Sequence, residues 1–265
     1  MVERRDRPRS SRPDSKKRLD SERGTRSKGR PESHSREGSR PVTRKPLRKA
    51  PDRVRRVSRF EEPEIPAEIT GEELPRQEQF QFHSLAAENS ERVKKHLVAL
   101  SQFLESDPER AFMHGQAAAF RAGRVGLVRE RAGIAGVESG HYLEAQKDLR
   151  AASRISGTVE VLPYIARCEV ALGNPRKALE IAGSVDQKKL SSAGRVMMRI
   201  ASAQARRALG EYGAAVLTLQ CYELNTRDAA WSKTLQREYR ESLLAAGRNE
   251  EAALFAAKFP ETFLK

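Results

Sequence analysis

Four glycines recur at nearly regular intervals through the second half of the chain, and this repetition constrains the fold more than any other feature. Successive glycines are 33, 37 and 37 residues apart, and an alanine follows each of them five residues later. The glycines are Gly140, Gly173, Gly210 and Gly247, and the alanines are Ala145, Ala178, Ala215 and Ala252. A period of this length is typical of stacked supersecondary units, because one such unit cannot bury its apolar face alone.

Each of these glycines is predicted to form the turn of an antiparallel helical hairpin. Glycine readily adopts the left-handed backbone conformation that ends a helix, and apolar side chains recur at helical spacing on both sides of each turn. Small residues stand seven positions before the first three glycines, at Gly133, Ala166 and Ala203. We expect them to face the alanines after the turn, so that the two helices of a hairpin approach closely. Upstream, Asp107 followed by Pro108 is a typical helix start.

This repeat resembles the tetratricopeptide repeat (TPR) family, whose helix-turn-helix unit of about 34 residues has small residues, a turn glycine and a later alanine at these offsets. The resemblance covers residues 108–260, or 84–265 at its widest. It implies an all-α fold, a TPR-like α-solenoid of four or five antiparallel helical hairpins. Two departures from the family pattern are Trp231, which opens no repeat, and Arg240, which stands where a small residue is expected. A related helical-hairpin solenoid is the structural alternative.

The first 60 residues differ sharply from the rest of the chain in charge. They contain 22 Lys+Arg and 8 Asp+Glu and hold the whole formal charge of +14, whereas residues 61–265 contain 28 of each sign. Only nine of these 60 residues are apolar, too few to offset the entropy of ordering the chain. The sequence therefore predicts a long disordered basic arm over residues 1–59 and a helical repeat domain over residues 80–265.

An acidic, proline-containing linker is predicted between the arm and the helices, over residues 60–79. It contains seven glutamates against one arginine, and its three prolines favour an extended chain. Ile65, Ile69 and Leu74 are spaced along it and could dock on the helical domain. Our hypothesis for this segment is that it shields the basic arm or lies in an arginine-bearing groove of the repeats.

The composition argues against several classes of protein. No stretch approaches the ~18 apolar residues of a membrane span, and the N-terminus lacks the apolar run of a secretory signal. A cytoplasmic protein without integral membrane association is therefore predicted. Two cysteines, Cys168 and Cys221, cannot by themselves supply a zinc site or a disulfide framework and are expected to be small core residues. The frequent use of Arg and Ala resembles that of soluble proteins from GC-rich bacteria.

No set of residues in the sequence predicts catalysis, a metal site or a cofactor. The five histidines show no i, i+4 pairing and have no cysteine nearby, and His96 is predicted to lie on a helix surface. The glycine-rich run from Gly123 to Gly136 matches no phosphate-binding motif, so close contact between helices is the preferred interpretation. The chain is therefore predicted not to be an enzyme, with no catalytic residue, no metal ligand and no cofactor.

Two parts of the chain are candidates for binding. In the TPR family the first helix of each hairpin lines a concave groove that binds peptides. The resemblance places there Arg167, Gln204, Arg207 and Arg237, which could grip an acidic or extended ligand. The same offsets add to this lining Leu127, Glu130, Ile134, Val137, Glu160, Val170, Met197, Thr234 and Glu241. The basic arm could neutralise the phosphates of RNA or another polyanion. Its candidate contacts are Arg44, Lys45, Arg48, Lys49, Arg53, Arg55, Arg56 and Arg59.

The predicted function is that of a non-catalytic scaffold or adaptor, which recognises a protein partner through the groove and contacts RNA or another polyanion through the arm. A pure protein-binding module with an inert, solubilising arm is the first alternative. It predicts that deletion of the arm leaves partner recovery unchanged. A helical-repeat enzyme or regulatory subunit is the second alternative, and as an enzyme it predicts a deep polar pocket with clustered titrating groups.

Overall fold

Apolar side chains at helical spacing, interrupted by turns, fold this chain into a series of antiparallel helix pairs. The computed structural model describes residues 61–263, and within this range the chain is all-helical, without a β-strand. The predicted basic arm, residues 1–59, lies outside the described residues. The α-helices are α1 (Arg76–Gln79), α2 (Ala87–Phe103), α3 (Pro108–Ala122), α4 (Gly126–Glu138), α5 (Tyr142–Ser156), α6 (Leu162–Ala171), α7 (Pro175–Ser184), α8 (Ser192–Ala208), α9 (Tyr212–Leu219), α10 (Ser232–Ala245), α11 (Asn249–Lys258) and α12 (Pro260–Phe263). Three short 3-10 helices connect them at Phe80–Phe82, Gln187–Lys189 and Tyr222–Asn225.

The four repeated glycines end the first helix of four successive pairs, as the sequence predicts. Their φ angles are +84°, +81°, +78° and +73° for Gly140, Gly173, Gly210 and Gly247, all in the left-handed region. They lie in the turns of the pairs α4/α5, α6/α7, α8/α9 and α10/α11. A fifth pair, α2/α3, turns without such a glycine, and the carboxylate of Asp107 there accepts a hydrogen bond from the backbone N–H of Arg110 at 3.1 Å.

Small residues let α4 and α5 approach closely, as predicted, but Gly136 faces Ala145 and the predicted Gly133 faces Leu149 instead. A Cβ atom added to Gly133 would lie 2.6 Å from Leu149 Cγ, and one added to Gly136 would lie 3.0 Å from Ala145 Cβ. Any larger side chain at these two positions would therefore push α4 away from α5. The run from Gly123 to Gly136 thus serves helix contact at these two glycines.

The helix pairs stack on one another through shared apolar clusters. Each helix from α2 to α11 packs against its successor, and α4, α6, α8 and α10 also pack against one another in that order. One cluster joins Val137, Leu149 and Ile165 across α4, α5 and α6, and another joins Val196 and Leu235 across α8 and α10. The first helices of successive pairs consequently lie side by side, and this places their remaining side chains on one surface.

The acidic linker folds onto the first helix pair through its apolar residues. Ile69 and Leu74 are buried in a cluster with Val93 and Leu97 of α2. These spaced apolar residues therefore dock, and helical packing includes part of the segment predicted to be a linker.

The glutamates of the linker meet cations of the neighbouring helices. Glu62 forms ion pairs with Arg121 and with Arg92, the latter at 2.7 Å. The hydrogen bond from Arg121 and the one from Arg92 lower the pKa of this carboxyl to about 2, against the opposing effect of its burial. Glu72 pairs with Lys94 on α2 at 2.9 Å. The cations that pair with these two linker glutamates are thus on α2 and α3 and are not the arginines predicted to line a groove.

A pair of histidines is buried between α2 and α3, and this corrects the prediction that His96 lies on a helix surface. His96 and His114 are both fully buried, and their Nδ1 atoms are 3.0 Å apart. Burial is the main cause that lowers the pKa of each imidazole to about 4. The prediction failed because the neighbouring lysines of α2 remain partly exposed, whereas His96 points at α3.

Candidate functional site

The first helices of four successive pairs carry a set of polar side chains, which we name the first-helix face. Counted from the turn glycines, the positions that meet across this face differ by three to six residues. Arg207 of α8, three residues before its glycine, contacts Glu238 and Glu241 of α10, which are nine and six residues before theirs. Nine of its residues lie on α4, α6, α8 and α10, namely Glu130, Arg131, Glu138, Tyr164, Arg167, Gln204, Arg207, Glu238 and Glu241, and we include Glu160, which directly precedes α6.

Hydrogen bonds link α8 to α10 across this face. The side-chain amide of Gln204 donates to Glu238 at 2.6 Å. The guanidinium of Arg207 donates to both Glu238, at 2.6 Å, and Glu241, at 3.0 Å. Burial raises the pKa of the Glu238 carboxyl, while the charge of Arg207 and the hydrogen bond from Gln204 act in the opposite direction. Gln204 and Arg207 are therefore already engaged by carboxylates of the next helix.

The α4/α6 part of the face surrounds a tyrosine with charged groups. Arg167 pairs with Glu138 at 2.7 Å. The pKa of the Tyr164 phenol is raised, mainly by burial and further by the carboxylates of Glu138, Glu130 and Glu160, while Arg167 opposes the shift. The phenol group thus remains a neutral hydrogen-bond donor within an acid-rich part of the face.

Among the glutamates of this face, Glu130 is the one whose carboxylate has no hydrogen bond or ion pair within residues 61–263. Its carboxyl is half-buried, and burial raises its pKa. The charge of Arg131 opposes this shift, and the carboxylates of Glu160 and Glu78 add to it. The adjacent Arg131 is paired with Glu78 of the linker at 2.7 Å. Glu160 accepts hydrogen bonds from the backbone N–H and the hydroxyl of Ser191, the N-cap residue of α8. Because burial disfavours the charged form of this carboxyl, Glu130 is the carboxylate of this face that gains most from an added cation.

The sequence predicted four side chains for this surface, and their environments differ from that expectation. Arg167, Gln204 and Arg207 are held by carboxylates, so they are not free cations that await an acidic ligand. Arg237 is exposed and has no ion pair within the described part of the chain. Of the carboxylates that hold these groups, Glu241 was among the predicted lining residues, whereas Glu138 and Glu238 were missed. The eight arm residues proposed to contact nucleic acid lie outside the described residues.

The thiols lie away from this face and are unreactive in character. Cys168 is fully buried, and burial raises its pKa to about 12, which confirms the prediction of a small core residue. Cys221 is half-buried, and burial likewise raises its pKa. Among residues 61–263, no three His, Cys, Asp or Glu side chains are grouped so that they could hold a metal ion. Over the same range, none of the helices is both long and apolar enough to cross a bilayer.

Comparison with known proteins gives no relative to set beside this geometry. No protein-family model, no curated protein and no solved structure matches the chain.

Proposed function

We propose that this protein is a non-catalytic, TPR-like interaction scaffold that binds an extended peptide of a partner protein on its first-helix face. The face spans four stacked helices, and its side chains form hydrogen bonds between helices that a peptide could extend or exchange. The basic arm supplies a second contact, with RNA or another polyanion. These two contacts would make the protein an adaptor between a protein partner and a nucleic acid.

The unpartnered carboxylate of Glu130 is the observation that carries this proposal. A peptide that presents Lys or Arg to Glu130 would supply the charge-assisted hydrogen bonds that this half-buried carboxylate lacks. The Tyr164 phenol beside it offers both an aromatic surface and a hydrogen-bond donor to the same peptide. At the α10 end, the exposed Arg237 could pair with an acidic residue of the peptide or with its C-terminal carboxylate.

A peptide-display selection on the full chain tests the proposal. We expect enrichment of extended sequences that contain a Lys or Arg, because these satisfy Glu130. For a selected peptide, Glu130→Gln should weaken binding by about tenfold, since it removes the charge from a half-buried pair. Fluorescence anisotropy with the labelled peptide measures this change.

Glu144→Gln is the matched control, because Glu144 is an exposed carboxylate of α5 outside the face. It makes the same change in net charge and should leave the affinity within about twofold. Equal weakening by both variants would mean that the peptide senses only the overall charge. If neither variant changed the affinity of the selected peptides, the binding site would lie elsewhere and the proposal for this face would be refuted.

The arm is tested separately, by titrating structured RNA, single-stranded RNA and duplex DNA over a series of salt concentrations. The full chain should be compared with a chain that starts at Glu61. The truncation must not start at Arg76, because it would then remove Glu62, Ile69 and Leu74 from the packed structure. Binding that weakens steeply with salt and is absent from the truncated chain would support a nucleic-acid contact. Equal, weak binding by both chains would favour the alternative of an inert, solubilising arm.

A further inference from the structure

The second helices of two neighbouring pairs, α5 and α7, flank an open groove on α6. Its volume is about 590 Å³. Apolar side chains from α6 and α7 form its floor, namely Leu162, Ile165 and Ile181. Volumes of a few hundred Å³ with an apolar floor are characteristic of ligand-binding clefts. This α5/α7 groove is separate from the first-helix face, and the proposed function makes no use of it.

The rim of the α5/α7 groove is strongly basic. Lys147, Arg150, Arg154 and Lys177 line it together with one serine. The fully buried Glu169 lies beneath and pairs with Arg150 at 2.9 Å and with Lys177 at 2.7 Å. Lys147 and Arg154 are exposed and have no carboxylate partner among the described residues. The rim therefore carries a surplus of three positive charges over its one carboxylate.

The buried carboxylate fixes the geometry of this rim. Glu169 is on α6, and it holds one cation from α5 and one from α7, so that both helices present their cations at the edges of the same cleft. Asn174 adds a hydrogen bond to Glu169 at 3.3 Å. Because two of the four cations are held in place before any ligand arrives, less side-chain entropy is lost on binding.

We propose that the α5/α7 groove binds an acidic amphipathic helix of a partner protein. Apolar side chains on one face of that helix would fill the floor formed by Leu162, Ile165 and Ile181. Glu or Asp residues flanking this face would meet Lys147 and Arg154 at the rim. An amphipathic helix lying in an apolar groove between two helices is a recurrent mode of peptide recognition, and here the charge of the rim selects an acidic one.

A designed peptide tests this surface with the full chain. The probe is a fluorescein-labelled amphipathic helix of about five turns, with Leu on one face and Glu on both flanks. The charge-reversal variant Lys147→Glu/Arg154→Glu should weaken its binding by at least about tenfold, because two attractions become repulsions. A second probe with Ser in place of Leu should also bind at least about tenfold more weakly to the wild-type chain, because it cannot fill the floor.

The matched control is Arg124→Glu/Lys233→Glu, which changes two exposed cations outside the groove and gives the same net charge. Because this control leaves the groove intact, its affinity for the probe should stay within about twofold of the wild-type affinity. Equal weakening by the two double variants would overturn the proposal, since the probe would then sense only the basicity of the whole chain. Undiminished binding of the Ser probe would overturn it as well.

Two further experiments complete the test. If charge reversal impairs folding, as judged by circular dichroism, Lys147→Gln/Arg154→Gln replaces it, and an unchanged affinity for the probe would then count against the groove. Vesicles of phosphatidylcholine with phosphatidylserine test a membrane surface. Vesicle binding that is lost in the groove variant, with probe binding unaffected, would assign the rim to lipid headgroups and refute the peptide-binding proposal. The Glu130→Gln variant should bind this probe normally, so failure of this proposal is distinguishable from failure of the proposed function.

Discussion

At the scale of single residues, the turn glycines and the helical glycines of this chain have different roles. Gly210 has a φ angle of +78°, and a Cβ atom added to it would meet no atom within 4 Å. The backbone conformation, and not a lack of space, therefore restricts which residue can stand at this position. Gly213, three residues later in α9, has equally open space but no positive φ. An alanine would therefore be strained at the first position and favourable at the second.

The two substitutions should change stability in opposite directions. Gly210→Ala should lower the free energy of unfolding by about 1–2 kcal/mol, the cost of a left-handed non-glycine residue. Gly213→Ala should raise it by about 0.5 kcal/mol, because the unfolded chain loses conformational freedom. Urea unfolding of both variants measures the difference. If both changed stability in the same direction, the turn at Gly210 would not have the geometry described.

The histidine pair gives the protein a pH dependence of defined sign. In the folded state the pKa of His96 and of His114 is about 4, whereas the value of an unperturbed histidine is 6.5. As the pH falls below about 6.5, the unfolded chain binds protons that the folded chain does not. Stability contributed by the neutral pair is therefore present above about pH 6.5 and is progressively lost towards about pH 4. Raised pKa values of Glu130 and Glu238 act in the opposite direction, so a variant is needed to isolate the pair.

His114→Asn should make the decline in stability between about pH 6.5 and about pH 4 shallower, because one of the two buried imidazoles is removed. The free energy of unfolding measured in urea at several pH values tests this. His83→Asn, at an exposed position, is the matched control and should give a curve parallel to that of the wild type. A curve for His114→Asn that also runs parallel to the wild type would show that the buried pair does not titrate as described.

At the scale of elements, the acidic linker shows how a proline-rich segment becomes part of a folded domain. Its prolines prevent a long helix, but Ile69 still reaches the cluster formed with Val93 of α2, where it is 3% exposed. Glu62 adds ion pairs with α2 and α3, which lie at the N-terminal end of the stack. The segment thus covers apolar surface of the first helix pair, a surface that each later pair buries against its predecessor.

Ile69→Ala should consequently destabilise the protein by about 2–4 kcal/mol, as expected for truncation of a buried isoleucine. Ile155→Ala is the control, because Ile155 in α5 is 47% exposed and loses little burial. Its effect should stay within about 0.5 kcal/mol. Chemical unfolding of both variants provides the comparison, and similar free energies of unfolding would mean that the linker does not contribute to the core.

At the scale of the whole described domain, stacking of similar helix pairs produces two surfaces of different charge, for each of which we propose a peptide ligand. The first helices pack against one another and bring carboxylates and guanidiniums into cross-helix ion pairs. The carboxylate of Glu130 forms no such pair within the described residues. The second helices α5 and α7 instead flank an apolar cleft with a basic rim. The two surfaces would select peptides of different charge, so one protein could hold two partners at once.

The sequence by itself determined the helix pairs of this protein. Turn glycines, helix-starting residues and small residues act through local backbone conformation or through contacts within one pair, and their spacing is visible in a single chain. The burial of Cys168 was also predictable from the sequence, because this residue lies among apolar residues on one helix. Those features needed no knowledge of how the pairs stack.

Only the tertiary structure decided which charges meet and which polar groups are buried. Arg207 binds Glu238 and Glu241, 31 and 34 residues away, and this depends on the relative placement of two stacked helices. The burial of His96 against His114 and the docking of the linker depend on the same placement. Helical periodicity states which residues share a face of a helix, but it does not state which neighbour covers that face. The unpartnered Glu130 and the basic rim of the α5/α7 groove therefore emerge only once the pairs are packed.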